Sequence, residues 1–433
     1  MTPVLVIGGG AAGMIAAWRV AMDGVPVRLL EKKNRLGTKI LISGGGKCNV
    51  THAGPMEEVR ARFRPNEGRF LRPSFYRFTN DDFVEMLTAK GMEVYTRPDG
   101  RIFPVPPADA KDVVDVLEAH LQDAGVTVWR GAAVTGITVE NGAVAGVTLE
   151  GAAAPVEAQQ VVVAVGGASY PATGTTGDGW RWLAALGHTI VPLKAALAPL
   201  YLDPVPPAEW SGVAHRDCVL RARGVNPDGS PGKERMRWRG DLLWTHKGVS
   251  GPTALGVSRE VAEAIPAESV AEVDLLPDRT PEELAGAVLR EAQASPRAAV
   301  ATLVERLTPR DALPERVVRP LLESAGIDPS TRCAYLKQKE RNRLVQTLKG
   351  WRLGRVRHVP LERGEVVAGG VALDEVDPQT MRSKRVRGLY LCGEVLDIAG
   401  PVGGYNLQAA WSTGFVAGEA AAAEAREAAP PAP

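Results

Sequence analysis

Val4-Leu5-Val6-Ile7-Gly8-Gly9-Gly10-Ala11-Ala12-Gly13 decides how this chain folds. Four apolar residues in a row read as a short strand buried on both faces, as in a parallel sheet. Gly8, Gly10 and Gly13 then match G-x-G-x-x-G, the turn that brings a dinucleotide pyrophosphate against a helix N-terminus. The Ala-rich run Ala11–Met22 supplies the helix, and Val27–Leu30 the second strand. Glu31 ends that strand, placed to accept hydrogen bonds from both ribose hydroxyls of an adenosine, with Ala12 and Lys32 beside the same nucleotide. The plainer alternative is an ordinary Gly-rich strand–helix turn. Strand, glycines, helix, strand and acid together argue for the nucleotide.

An acid at this position suits a free 2′-hydroxyl, as in FAD or NAD, and disfavours the 2′-phosphate of NADP. The choice between FAD and NAD is made far along the chain. Gly388-Leu389-Tyr390-Leu391-Cys392-Gly393-Glu394 reads as a strand running into Gly-acid. In flavoproteins with two dinucleotide-binding folds such a late pair, here Gly393 and Glu394, holds the ribitol of FAD; NAD has no ribitol. Gly403-Gly404-Tyr405-Asn406 opens a last helix, whose leading N–H groups can stabilise negative charge on a reduced flavin. Taken alone it is a Gly-rich corner.

Two further segments belong with these. Gly37, Lys39 and then Ser43-Gly44-Gly45-Gly46-Lys47-Cys48-Asn49 look like a phosphate loop but fail its pattern. Leu41 stands where the first Gly is needed, and Cys48 where Ser or Thr is needed. Their amides and lysines (Ser43, Gly44, Gly45, Lys47 and Cys48 among them) can instead cradle the FAD pyrophosphate or line the flavin. Gly166-Gly167-Ala168-Ser169 and Gly174-Thr175-Thr176-Gly177 follow the apolar strand Val161–Val165, with Gly166, Gly167 and Thr176 as further cofactor contacts.

The composition is globular, with 433 residues, 45% hydrophobic and 23% charged. A net charge of +1 excludes a global field drawing in nucleic acid or membrane. Cys48, Cys218, Cys333 and Cys392 form no C-x-x-C pair, so neither a zinc site nor a disulfide relay is expected, and a reducing, cytoplasmic setting fits. No signal peptide, membrane span or metal is expected.

The pattern predicts an α/β fold, a Rossmann-like FAD-binding domain of the two-dinucleotide-binding flavoprotein type carrying an inserted β-plus-helical domain. Its boundaries read 1–191 for the first part, 192–362 for the insert, 363–424 for the second part and 425–433 for a frayed tail. Helices are expected over 81–90 and 108–124, and a β-meander over 126–149 turning at Asn141-Gly142. No second G-x-G-x-x-G is present for a nicotinamide domain.

The matching stretches ISGGGKCNVTH (42–52), GRIFP (100–104), GGASYPATGTTGDG (166–179), THKGVSGP (245–252) and GLYLCGEVLDIAGPVGGYNLQAAW (388–411) carry a wider resemblance. Over nearly its whole length the chain resembles the BaiN/RdsA-type family of NAD(P)/FAD-dependent oxidoreductases, also described as aminoacetone-oxidase-like flavoproteins. Lys47 stands where Arg is usual, His52 where Asn is usual, and Val367 where Thr is usual. The resemblance implies non-covalent FAD, NADH or NADPH as transient donor, reduction of conjugated C=C bonds, and an insert shaping the substrate side. Steroid-like enones and uracil in ribosomal RNA, reduced to dihydrouridine, are the implied substrate classes.

Such chemistry needs a proton donor, and three residues are candidates. Cys48 lies among Lys39 and Lys47, which would lower its pKa; the plainer reading is a small buried residue. His246 is a candidate acid/base or a structural histidine. Tyr405 is a candidate flavin-face contact or a packing residue. Arg332, Lys337, Lys339, Arg341, Arg343, Lys349, Arg352, Arg355 and Arg357 face one acid, Glu340, within 332–357. With Tyr335 and Trp351 interleaved, that stretch reads as an RNA footprint or as a solvated basic helix. Arg216, Arg221, Arg223, Lys233, Arg235, Arg237 and Arg239 form a second basic region. Three readings stand: a reductase of uracil in RNA, a reductase of a small enone, and a flavin-bound protein with a structural or assembly role.

Overall fold

A computed structural model describes residues 2–308, 313 and 315–428. The chain divides into two compact units, one running to Lys194 and resuming at Glu365, the other Ala195–Gly364.

The first unit is built on a parallel five-stranded sheet in the order Leu389–Leu391, Val161–Val163, Val4–Ile7, Val27–Glu31, Thr127–Arg130. The three inner apolar runs are short because both faces are covered; Val4, Leu5 and Val6 and Val161–Val163 have no exposed surface. Thr127–Arg130 pairs in parallel with Val27–Glu31, so the expected meander over 126–149 is corrected. Only Val134–Glu140, Ala143–Leu149 and Val156–Glu157 form the separate antiparallel sheet, turning at Asn141 and Gly142. Helices Asn80–Thr88 and Ala110–Asp123 occupy the expected positions.

The two ends of the chain meet through small residues. Helix Tyr405–Glu427 lies on helix Ala11–Met22, and a Cβ at Gly414 or Gly418 would sit 2.3 Å from the Ala12 carbonyl oxygen or 2.4 Å from that of Ala16. Backbone-to-backbone approach of that kind admits no side chain. The last helix continues through Glu427, so residues 425–427 are helical rather than frayed; the remainder of the expected tail, from 429, lies outside the described residues.

The second unit is a closed antiparallel barrel of six strands: Leu200–Asp203, Gly248–Ser250, Pro231–Thr245, Ala214–Val225, Ser269–Asp274 and Trp351–His358. Closure leaves no unpaired edge. Leu220, Leu242, Trp244, Val273 and Trp351 fill its core, and the Trp244 indole N–H donates to His215 Nε2 at 2.9 Å. Helices Gly251–Ala264, Pro281–Ala294, Val300–Leu307, Glu315–Ser324 and Gln338–Lys349 complete this unit.

Candidate functional site

The Gly-rich turn has the shape its spacing implies. A Cβ on Gly8 would lie 2.5 Å from the Ala164 carbonyl oxygen, and one on Gly13 1.8 Å from that of Gly8. Those two glycines are demanded by packing within the protein. Gly10 differs: a Cβ there meets nothing within 4 Å, and no side chain caps the helix it begins. The space over Gly10 and the uncapped N–H groups suit a pyrophosphate, which a side chain would displace. Glu31 spans the turn, Oε2 accepting the Gly9 N–H at 2.7 Å and Oε1 the Lys33 N–H at 2.8 Å. Its carboxylate is thereby fixed at the mouth of the turn, with acceptor capacity remaining for ribose hydroxyls.

Distant motifs converge on a second cluster. Lys39 Nζ lies 2.6 Å from Glu394 Oε2 and 2.8 Å from Ser169 Oγ, while Glu394 Oε1 accepts the Val367 N–H at 2.9 Å. Gly167 is held against this carboxylate: a Cβ there would sit 2.9 Å from the Glu394 carboxyl carbon. A Cβ on Gly166 would lie 3.1 Å from Thr175 and 3.8 Å from Glu394 Oε2. The Gly393 N–H is bound by Thr413 Oγ1 at 3.0 Å. Lys32 Nζ reaches Thr176 Oγ1 at 2.8 Å and Asp178 Oδ2 at 2.9 Å. Burial opposes the charge on Asp178, yet Thr176, Lys32 and Arg181 together hold its carboxyl down to about 2.

The segment 42–52 is laid against the start of the last helix. Gly37 precedes it at φ +63, where a Cβ would press on Val114. Ser43 Oγ donates to the Ile40 carbonyl at 2.7 Å, Gly44 and Gly45 are left-handed, and Lys47 is exposed. Thr51 Oγ1 and Gln408 Oε1 are 2.6 Å apart in full burial, and the Trp411 indole donates to the Val50 carbonyl at 2.9 Å. With its amide turned to satisfy its neighbours, Asn49 accepts the Gly404 N–H at 2.9 Å. A Cβ on Gly404 would strike the Thr51 backbone at 2.5 Å, and one on Gly403 the Tyr405 ring at 2.8 Å. Asn406 is turned onto its own loop, accepting the Gly400 N–H at 2.8 Å and donating to the Gly400 carbonyl at 2.9 Å.

The three candidate acids differ in setting. Cys48 has no exposed surface and a left-handed backbone, φ +53. Burial pushes its thiol up to about 12, against the pull of a Ser43 hydrogen bond. The expected lowering by Lys39 and Lys47 is corrected: the former is committed to Glu394 and Ser169, the latter points to solvent, and desolvation prevails. Tyr405 is buried, stacked on His52 with ring centroids 4.7 Å apart and edge-on to Phe63 at 6.3 Å. Burial raises its phenol, while Arg62 beside it pulls the other way. His246 belongs to the barrel unit, exposed in the turn joining Pro231–Thr245 to Gly248–Ser250.

Within the basic stretch 332–357 the structure separates charges that hold a partner from those that do not, and only Trp351 as a surface aromatic is corrected. Trp351 is buried beside Trp210 and Trp244 and offers no surface to a nucleic acid. Arg341 donates to the Leu336 carbonyl at 2.8 Å, Lys349 pairs with Asp274 at 2.9 Å, Arg352 donates to the Gly229 carbonyl at 3.0 Å and Arg355 pairs with Glu268 at 3.1 Å. Arg357 is exposed at the end of the barrel strand. Arg332, Lys337, Lys339 and Arg343 are exposed and hold no carboxylate among the described residues, Arg343 donating to the Gly326 carbonyl at 3.1 Å; Tyr335, between Arg332 and Lys337 in the chain, has 70% of its surface open.

Sequence reasoning missed Ser169, Asp178 and Arg62, and the helices Met56–Ala61 and Pro65–Arg77 that bring Arg62 to Tyr405. A capping signal was available: Glu67 caps the Arg64 N–H at the start of the second helix. No helix of the described residues is long and apolar enough to cross a membrane, and no group of three or more His, Cys, Asp or Glu side chains among them is arranged to hold a metal.

The family model described as HI0933-like protein Rossmann domain matches residues 2–420. A 3-dehydro-bile acid delta(4,6)-reductase of Clostridium scindens is 30% identical over 98% of this chain and 99% of its own length. A ribosomal RNA dihydrouridine synthase of Escherichia coli is also 30% identical, over 95% of this chain and 96% of its own. Among solved structures, a 3-ketosteroid-delta4-(5alpha)-dehydrogenase of Rhodococcus jostii shares the fold at 15% identity, with a TM-score of 0.52 over 97% of this chain and 96% of that one.

Proposed function

This chain belongs to the HI0933-like Rossmann family, and from that premise we propose that it is an FAD-dependent oxidoreductase that takes electrons from NADH or NADPH and reduces uracil in ribosomal RNA to dihydrouridine. The residues present fit FAD: space over Gly10, helices beginning at Gly10 and Gly404 whose N-cap residues supply no side chain, and the carboxylates of Glu31 and Glu394. Bound there, FAD supplies hydride transfer. Glu31 orients the adenosine by its ribose hydroxyls. Lys39 and Glu394 hold one another in place for the ribitol, and the start of the last helix offers N–H groups to negative charge.

The reduction adds a hydride to C6 of uracil and a proton to C5. Tyr405 holds that proton at its hydroxyl, kept protonated by burial, with the Arg62 guanidinium ready for the phenolate left behind. The aromatic wall of His52 and Phe63 keeps water from the Tyr405 ring.

The observation that carries RNA as substrate is the run of exposed cations Arg332, Lys337, Lys339 and Arg343, none of which holds a carboxylate among the described residues, with exposed Tyr335 in the same segment. Phosphates neutralise such charges, and a base stacks on such a ring. RNA also places the activity in the cytoplasm. The bile acid reductase relative, equally similar, supports a second reading in which a small enone is reduced by the same chemistry. Mass spectrometry of ribosomal RNA from a strain lacking the gene separates them. Loss of a dihydrouridine, restored by complementation, is expected; an unchanged dihydrouridine content refutes the RNA reading.

A further inference from the structure

Helix Pro65–Arg77 of the cofactor unit presents two unlike faces. Phe70, Leu71, Ser74 and Phe75 are buried, while Arg69, Arg72 and Tyr76, spaced three and four residues apart, lie together outside. Several other arginines of this unit are committed to carboxylates: Arg60 to Glu57, Arg77 to Glu419, Arg101 to Asp99 and Arg130 to Glu118. Arg69 and Arg72 hold none among the described residues. The acid that Arg72 senses, Glu57, is already bound by Arg60 and by the Tyr76 hydroxyl at 2.9 Å. The stripe therefore keeps its positive charge.

The helix follows in sequence on a residue of the site. Arg62, exposed in the turn before this helix, lies beside the Tyr405 hydroxyl. Three helical residues advance about 4.5 Å, so Arg69 and Arg72 can reach neighbouring phosphates of one strand. A neutral ligand gains nothing from two unpaired guanidinium groups; a polyanion releases counterions at each. The exposed ring of Tyr76, 55% open, adds a surface on which a base can stack.

We propose that Arg69 and Arg72, with Tyr76, form a phosphate-binding track on the cofactor unit that receives the RNA strand flanking the base reduced beside Tyr405. The track rests on the reading of RNA as substrate, and the closing experiment separates the two.

Binding of a fluorescein-labelled oligouridylate to the FAD-loaded protein is followed by anisotropy across a range of salt, and turnover is measured on ribosomal RNA. Arg69→Glu/Arg72→Glu should lower the log–log salt slope by about 1.4, at about 0.7 per phosphate. Its kcat/KM on RNA should fall at least about tenfold, mainly through KM, the scale of two lost charged contacts. FAD content, Tm and NAD(P)H oxidation with ferricyanide should stay at wild-type values. Arg69→Lys/Arg72→Lys should keep most of the slope, since a point charge still meets a phosphate. Arg69→Ala/Arg72→Ala gives the same reading without a reversed charge, should the first variant fold poorly. A wild-type slope and wild-type kcat/KM in the reversed and neutral variants would overturn the track while leaving the RNA reading intact. Wild-type protein that reduces no uracil in RNA would overturn that reading and the track with it.

Discussion

Two arginine-rich stretches of the barrel unit look alike in sequence and differ in what their charges meet. In residues 216–239 the cations alternate along strands, and five of the seven hold a carboxylate, most of them across the ladder. Arg216 pairs with Asp241, Arg221 with Asp274 at 3.0 Å, Arg223 with Glu272 at 3.3 Å, Arg237 with Glu234 at 2.5 Å, and Arg239 with Asp217 and Asp278 at 2.7 Å each. In residues 332–343 the cations sit on a short turn and the first half of a helix, with only Glu340 nearby, its carboxylate spent on the Lys337 N–H at 2.8 Å. Most of the charge in the first region is balanced at close range, Lys233 and Arg235 being its cations that hold no carboxylate among the described residues. The second carries its cations well in excess of its one acid. What distinguishes a binding face from a structural one is therefore the pairing of its charges, not their number.

The largest effect is expected when cations without a carboxylate partner are reversed. Lys337→Glu, Lys339→Glu and Arg343→Glu together should weaken RNA binding on the order of a hundredfold or more at moderate salt and remove about 2 from the salt slope, three contacts at about 0.7 each. Anisotropy titration against salt reads both. Tyr335→Ala should follow, weakening binding by about 1–3 kcal/mol, the range for one base–aromatic stack, with the salt slope unchanged. Glu31→Ala acts on the cofactor alone. FAD affinity should fall by about 1–3 kcal/mol, measured by flavin release, while RNA binding by the apoprotein is unaffected. The smallest effect is expected in the paired stretch. Arg237→Glu loses an exposed ion pair worth about 0–1 kcal/mol of stability, read as a small fall in Tm, and should leave RNA affinity within about twofold of wild type. An Arg237 effect as large as that of the triple reversal would end the distinction between paired and unpaired charge.

Acid should act on the cofactor unit through Asp178. Its carboxyl is held down to about 2 by Thr176, Lys32 and Arg181 against the opposing effect of burial. A depressed folded-state value stabilises above the unfolded carboxylate range near 3.9 and is lost as pH falls toward 2. Asp178→Asn should therefore flatten the fall of Tm between about pH 4 and 2, measured by differential scanning fluorimetry.

Much of the cofactor unit was legible because its signals are local. The apolar run Val4–Ile7, the glycines after it and Glu31 lie within one strand–helix–strand unit, and each is dictated by close packing or by a backbone hydrogen bond. The late Gly393-Glu394 pair was legible for the same reason, since it closes a strand. Its partners were not: Ser169 and Lys39 reach Glu394 only once the sheet has set strand 161–163 beside strand 389–391. Thr127–Arg130 reads as a meander strand in sequence because alternation cannot tell a parallel edge strand from a hairpin strand. Cys48 shows the limit most plainly. Neighbouring lysines are visible in sequence, whereas their distraction by Glu394 and by solvent, and the depth of the thiol, are properties of the fold.

The most direct test of the account is a reaction of purified, FAD-loaded protein with NADH or NADPH and unmodified ribosomal RNA, analysed by nucleoside mass spectrometry. The account predicts one or more uridines that gain two hydrogens, and near-complete loss of that product when Lys337, Lys339 and Arg343 are reversed, with flavin reduction by NAD(P)H preserved. Equal dihydrouridine formation by both proteins at moderate salt, or no dihydrouridine beside rapid turnover of a steroid-like enone, would contradict it.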